Sequence, residues 1–188
     1  MKKIFLLFLF AHTLILQSQE LKTETDKTNE IIITTELLVD GKLDLDKSVG
    51  KDRVLFVLPV FQKPVDLEGF YSVDIVFDTK QLKVCLDQLS GKTIFYFDDD
   101  STLECAQLVP KVCKSTLLGC RFLAGKSMDS FGYDYTKNEF MKLCNKTISK
   151  IRVVTTEGNI DIEIKDDYKQ FLQNSFIKVS KKANEFMQ

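Results

Sequence analysis

Tryptophan is absent from this 188-residue chain, and His12 is its only histidine. The first absence removes the best stacking platform for sugars and quaternary amines and leaves that role to tyrosine. The second matters more, because His12 lies in an N-terminal segment expected to be removed. A chain without imidazole has no Ser–His–Asp triad, no Cys–His nucleophile pair and no histidine ligand for zinc. Basic surplus is missing too: 26 Lys and Arg stand against 27 Asp and Glu. No basic stripe stands out along the chain, which argues against nucleic acid as the main partner. After the N-terminal segment no apolar run is long enough to cross a bilayer, so no stable membrane insertion is expected. No internal repeat is present.

What is there begins with a secretory pattern. Lys2 and Lys3 precede an apolar run from Ile4 to Leu16, followed by Gln17, Ser18 and Gln19. A positive start, a short apolar run and a small or polar exit are the three parts of a signal peptide. Residues 1–19 are read as that signal, with cleavage near Ser18 or Gln19, and the mature protein as secreted or periplasmic. The first cysteine is Cys85, so no lipid-anchoring cysteine stands at the new terminus. Loss of Lys2 and Lys3 leaves 24 basic against 27 acidic residues, a net charge of −3. Residues 20–30 are polar and charged and read as a flexible leader. The remainder, residues 31–188, is long enough for one domain with a real core.

Within it, Ile31–Val39 is a first apolar segment ended by Asp40-Gly41. Val54–Phe61 is a dense apolar run interrupted by Pro59 and followed by Pro64, a buried strand with an irregular end. A period of two then sets in: Tyr71, Val73, Ile75 and Phe77 share one face, while Ser72, Asp74 and Asp78 take the other. Lys92–Phe97 and Leu103–Val109 read as strands joined by a turn at Asp98-Asp99-Asp100-Ser101, and Leu117–Leu123 as a weaker strand. Leu82–Leu89 fits a helix face through Leu82, Cys85, Leu86 and Leu89 and a strand face through Leu82, Val84 and Leu86, so it stays open.

The last third turns helical. Thr136 and Glu139 have capping-box spacing, and Phe140, Met141, Cys144 and Ile148 line one side. Ile151–Thr156 and Ile160–Ile164 form a hairpin around Gly158-Asn159 or Glu157-Gly158; the second loop sets Arg152 opposite Glu163. Asp166 or Asp167 caps a final helix with Tyr168, Phe171, Leu172, Ser175 and Val179 inward, and Lys178, Lys181 and Lys182 gather at its negative end. Strands first and helices late predict an α+β fold: an antiparallel sheet or sandwich, a helix before the last hairpin and a C-terminal helix.

Few motifs carry chemistry. Gly91-Lys92-Thr93 and Gly125-Lys126-Ser127 have the tail of a phosphate-binding loop, but the earlier glycine is replaced by Leu86 and Cys120, so both read as turns. Cys105, Cys113 and Cys120 lack the close spacing of zinc-ligand pairs, and neither a metal nor a cofactor is expected. If Leu103–Val109 and Leu117–Leu123 are antiparallel neighbours, Cys105 faces Cys120, a possible disulfide; buried free thiols are the other use. Five cysteines leave at least one thiol unpaired within the chain. The turn at Asp98–Ser101 is the densest acidic cluster but lacks the alternating ligands and glycine of an EF-hand loop. Asp40, Asp44 and Asp46 form a looser acidic loop. Asn145-Lys146-Thr147 matches a glycosylation sequon, relevant only in a eukaryotic host.

The run Lys146-Thr147-Ile148-Ser149-Lys150-Ile151-Arg152-Val153-Val154-Thr155, its hairpin and the aromatic-rich final helix resemble the end of small, uncharacterised secreted proteins of Bacteroidetes-type bacteria. Phe95–Leu103, with its acidic turn, is similar to an earlier strand–turn–strand of the same proteins. The resemblance departs at Asp99-Asp100, where those proteins tend to have Asp-Gly, and at a cysteine missing from the last helix. It implies a shared fold and carries no activity. Together these features lead to three expectations. The first is an exported, non-catalytic protein that binds a protein or an envelope component. The alternative is a carboxylate-based hydrolase. The third is a thiol-based role for an unpaired cysteine. No single catalytic residue is indicated.

Overall fold

The computed structural model describes residues 21–25, 30–35, 55–78, 84–86, 91–108, 112–114, 117–126 and 132–187. The expected signal segment 1–19, the expected acidic loop at Asp40–Asp46 and most of Leu82–Leu89 lie outside these. Eleven strands are found among the described residues, in the order β1 (Leu21–Thr25), β2 (Ile31–Thr35), β3 (Leu55–Lys63), β4 (Phe70–Asp78), β5 (Val84–Leu86), β6 (Lys92–Phe97), β7 (Thr102–Ala106), β8 (Val112–Lys114), β9 (Leu117–Leu123), β10 (Ile148–Thr155) and β11 (Gly158–Glu163). Helix α1 (Tyr133–Asn145) precedes the β10–β11 hairpin, and α2 (Asp166–Phe186) closes the chain. The fold is α+β, as the order of elements implied.

The strands form a five-stranded sheet, β1-β2-β3-β4-β9, a four-stranded sheet, β11-β10-β6-β7, and the small pair β5-β8. All pairings are antiparallel. The two larger sheets meet at a seam. Past Ala106 the chain leaves its own sheet: Gln107 bridges Phe122, and the Leu108 amide donates to the Arg121 carbonyl at 2.9 Å. Both sheets then turn one face to a common core. Helix α1 lies on β4, and α2 lies on β3 and β2 and reaches β10. Tyr71, Phe61, Phe140 and Phe176 are fully buried there, with Tyr71 stacked on Phe140 at 4.5 Å between ring centroids.

The strand pattern explains most of this. Tyr71, Val73 and Ile75 are all fully buried, and β6 alternates buried Thr93, Phe95 and Phe97 with half-buried Lys92, Ile94 and Tyr96. Ser72 departs from the pattern: it is buried, because β4 is a central strand and its flanking partners Val60 and Leu123 are buried as well. Pro59 is tolerated in β3 because the β2 ladder has ended one residue earlier, at Thr34–Val60. The Thr34 hydroxyl donates to the Pro59 carbonyl at 3.0 Å.

Several expectations are corrected. Part of the supposed flexible leader, residues 20–30, is strand: Leu21–Thr25 pairs residue by residue with Ile31–Thr35. A polar segment can do this as an edge strand, where the ladder compensates for the lack of burial. In the ambiguous segment, Val84–Leu86 is strand, paired with Val112–Lys114. Thr136 is no N-cap but lies a turn inside α1, where its hydroxyl donates to the Gly132 carbonyl at 2.8 Å. Glu139 pairs instead with Lys142. Ile148, expected on the helix, opens β10. Asp166 and Asp167 occupy the first turn of α2, and Lys165 is its N-cap. Because α2 runs on to Phe186, Lys178, Lys181 and Lys182 sit inside it rather than at its end. The β10–β11 register differs by two residues from the Glu157-Gly158 loop and by four from the Gly158-Asn159 loop, and Arg152 faces Asp161, not Glu163. A two-residue shift preserves which side chains face the core, so hydrophobic pattern alone cannot exclude it.

Candidate functional site

The acidic turn is the first place to look for chemistry. It closes the β6–β7 hairpin, with Asp100 at φ 61°, a left-handed conformation that aspartate tolerates. Its side chains are engaged by lysines from distant parts of the chain. Lys146, just after α1, places Nζ 2.8 Å from Asp99 Oδ2 and 2.7 Å from the Ser101 hydroxyl. Lys169 of α2 lies 3.2 Å from Asp98 Oδ1 and also pairs with Asp166. Phe97, Asp98, Asp99, Asn145, Lys146 and Thr147 line an open recess of about 350 Å³. Hydrogen bonds from Lys146 and Ser101 hold the Asp99 carboxyl well below the usual range, at about 2. A carboxyl so placed is ionised at neutral pH and cannot serve as the protonated acid of a two-carboxylate hydrolase. The turn therefore ties the hairpin to both helices.

The cysteines have a different arrangement from the one expected. Cys105 and Cys120 are both free and buried, as is Cys144, and the disulfide joins Cys85 to Cys113 with Cα atoms 4.1 Å apart. The expected pairing fails because β7 and β9 are not ladder neighbours: Cys105 stands opposite Thr93 in one sheet and Cys120 opposite Ile75 in the other. The segment between them contributes its own strand, β8, and pairs with β5, which sets Cys85 directly against Cys113. Burial pushes the thiols of Cys105, Cys120 and Cys144 up to about 12, so none carries thiolate at neutral pH. The disulfide-linked pair β5-β8 is fastened to the β10–β11 turn: Glu157 Oε2 accepts the Cys85 amide at 3.0 Å, and the Thr156 amide donates to the Cys85 carbonyl at 3.0 Å.

The loop-like glycines are structural. Gly91 accepts the Gln107 amide and leads directly into β6, where a phosphate loop needs a helix. Gly125 has φ 151°, and a Cβ there would come within 2.3 Å of the Tyr135 ring, so the position admits only glycine at the seam between the sheets. Among the described residues, no group of three or more His, Cys, Asp or Glu side chains is placed to hold a metal ion. Asn145 is exposed at the end of α1, on the rim of the recess.

A surface that the sequence did not single out lies on the outer face of the four-stranded sheet. Register places Lys150 beside Tyr96, Arg152 beside Ile94 and Asp161 beside Arg152. The Lys150 ammonium sits 4.2 Å from the Tyr96 ring centroid, and the Arg152 guanidinium 5.6 Å from it. Arg152 makes a two-point contact with Asp161, 2.6 Å at each oxygen, which raises the guanidinium pKa and lowers that of Asp161. Lys92 pairs with Glu104 at 3.1 Å. Ile94 and Val154 are half-exposed between these charges. The signal was in the sequence as the outward alternation of β6 and β10, but only the register brings Tyr96, Lys150 and Arg152 together.

Comparison with known proteins adds no constraint: no family model, no curated protein and no solved structure matches this chain. Among the described residues no helix is long and apolar enough to cross a membrane.

Proposed function

We propose that the protein is an exported, non-catalytic binding module that docks a protein partner on the outer face of its four-stranded sheet. Tyr96, with the cationic ends of Lys150 and Arg152 over its ring on a half-exposed face, is the observation that carries the reading. Tyrosine and arginine are the residues most enriched where interfaces concentrate their energy, because they offer a large rigid contact area with polar ends. The face balances Lys92, Lys150 and Arg152 against Glu104, Asp161 and Glu163, which suits a mixed-charge partner better than a polyanion. Export is supported by the Lys2-Lys3 start with its apolar run, and by a disulfide of the kind that persists in oxidising compartments.

A photo-crosslinking residue at Ile94, introduced into the chain in its native host, should trap one defined partner, whereas the same residue at Lys137 on helix α1 should not. Tyr96→Ala and Arg152→Ala should each reduce capture by about tenfold or more, since anchors of this kind contribute upwards of about 1–2 kcal/mol. Equal capture at both positions, or indifference to both substitutions, would refute the assignment of this face.

A further inference from the structure

The five-stranded sheet ends at β1, whose five residues are all exposed and which pairs with β2 alone among the described strands. Helix α2 covers β2 and β3, so β1 projects past it. Leu21, Thr23 and Thr25 share the face of Thr35, Ile33 and Ile31, the side that packs into the core one strand inward. Leu21, 38% exposed, is thus an apolar side chain on the inner face at the end of the described part of the sheet. Lys22 and Glu24 occupy the opposite face and touch each other at 2.6 Å.

We propose that β1 pairs with β1 of a second copy of this chain, antiparallel about a two-fold axis at Thr23, to make one continuous ten-stranded sheet. The register that uses all five residues opposes Lys22 to the second copy's Glu24 and Glu24 to its Lys22, while Leu21 packs against its Thr25. Edge lysines normally block such pairing by setting like charges together. Here the two-residue spacing of Lys22 and Glu24 turns the block into a self-complementary square of alternating charge. A two-fold interface requires that kind of self-complementarity. The terminal strand of the other sheet, β11, lacks it: Asp161 and Glu163 are its only charges, and both are acidic.

Sedimentation of the purified protein should show a concentration-dependent dimer. Lys22→Glu and Glu24→Lys should each weaken it by about tenfold or more, because every opposed pair becomes like-charged. An equimolar mixture of these two variants should form a heterodimer, and the double exchange K22E/E24K should restore the parental affinity. Both residues are about half exposed, so unchanged circular dichroism of the single variants is expected and verifies folding. Thr23→Cys should form a disulfide-linked dimer on mild oxidation, and Lys137→Cys should not. A protein that stays monomeric to about 100 µM, or a dimer untouched by either charge reversal, would overturn the proposal.

Discussion

At the scale of single residues, Asp99 shows how a carboxyl held by hydrogen bonds leaves a measurable trace. Its carboxyl is drawn down to about 2 by hydrogen bonds from Lys146 and Ser101. A depressed folded-state value contributes stability that is present above the unfolded value, near 3.8, and is lost as pH falls through about 2. Carbon-detected NMR titration should place the Asp99 midpoint near 2, and Lys146→Met should move it up towards 3.8. A wild-type midpoint already near 3.8 would mean that Lys146 and Asp99 are not in contact in solution. The composition announced a dense acidic turn. That the turn is clasped depended on two lysines far away in the chain, at the end of α1 and the start of α2.

For the secondary-structure elements, the decisive contacts are those that fasten helix to sheet. Thr136 is the clearest. Its hydroxyl donates to Gly132 within α1 and accepts the buried Tyr71 amide of β4 at 3.1 Å. The sequence spacing suggested a capping box, which uses the same hydroxyl for a different amide; the helix starts earlier, at Tyr133, and frees Thr136 for the sheet. Thr136→Val keeps the shape but strands the Tyr71 amide, and should cost about 1–3 kcal/mol in urea denaturation with helical circular dichroism retained. The ion pair of Arg121 with Asp74, contacts of 2.6 and 2.7 Å, and the bond from Arg121 to Gln62 at 2.8 Å similarly tie β9, β4 and β3 on the outer face of the larger sheet. Strand identities were largely readable because alternation marks a half-covered face. Registers were not, as the two-residue shift at Arg152–Asp161 shows.

Across the whole molecule, the Cys85–Cys113 bridge and the seam between the sheets hold the parts together. The bridge closes a sequence separation of 28 residues around β6 and β7, and its anchor on the Thr156-Glu157 turn links the small pair β5-β8 to the four-stranded sheet. Closing a loop of that length is worth about 3–4 kcal/mol through the unfolded chain. Reduction should therefore lower the unfolding midpoint by a corresponding amount, and the double substitution Cys85→Ser/Cys113→Ser should reproduce the loss and remove its dependence on reductant. If reduction leaves the midpoint unchanged, the bridge is absent from the folded protein. Were β1 to pair across a two-fold axis, each assembly would also carry two copies of the Tyr96 face, and avidity for a repetitive partner would follow.

By itself, the sequence determined the α+β class, the positions of most strands, the helix before the last hairpin and the final helix, because these follow from local periodicity and burial. It also determined that no imidazole lies beyond His12, and hence which chemistries the rest of the chain lacks. Only the tertiary structure decided which cysteines meet, that Leu21–Thr25 is an edge strand, and that Tyr96, Lys150 and Arg152 share one surface. Those outcomes depend on strand order and register, and both are set by non-local pairing whose energy is nearly the same for neighbouring registers until the whole core is assembled.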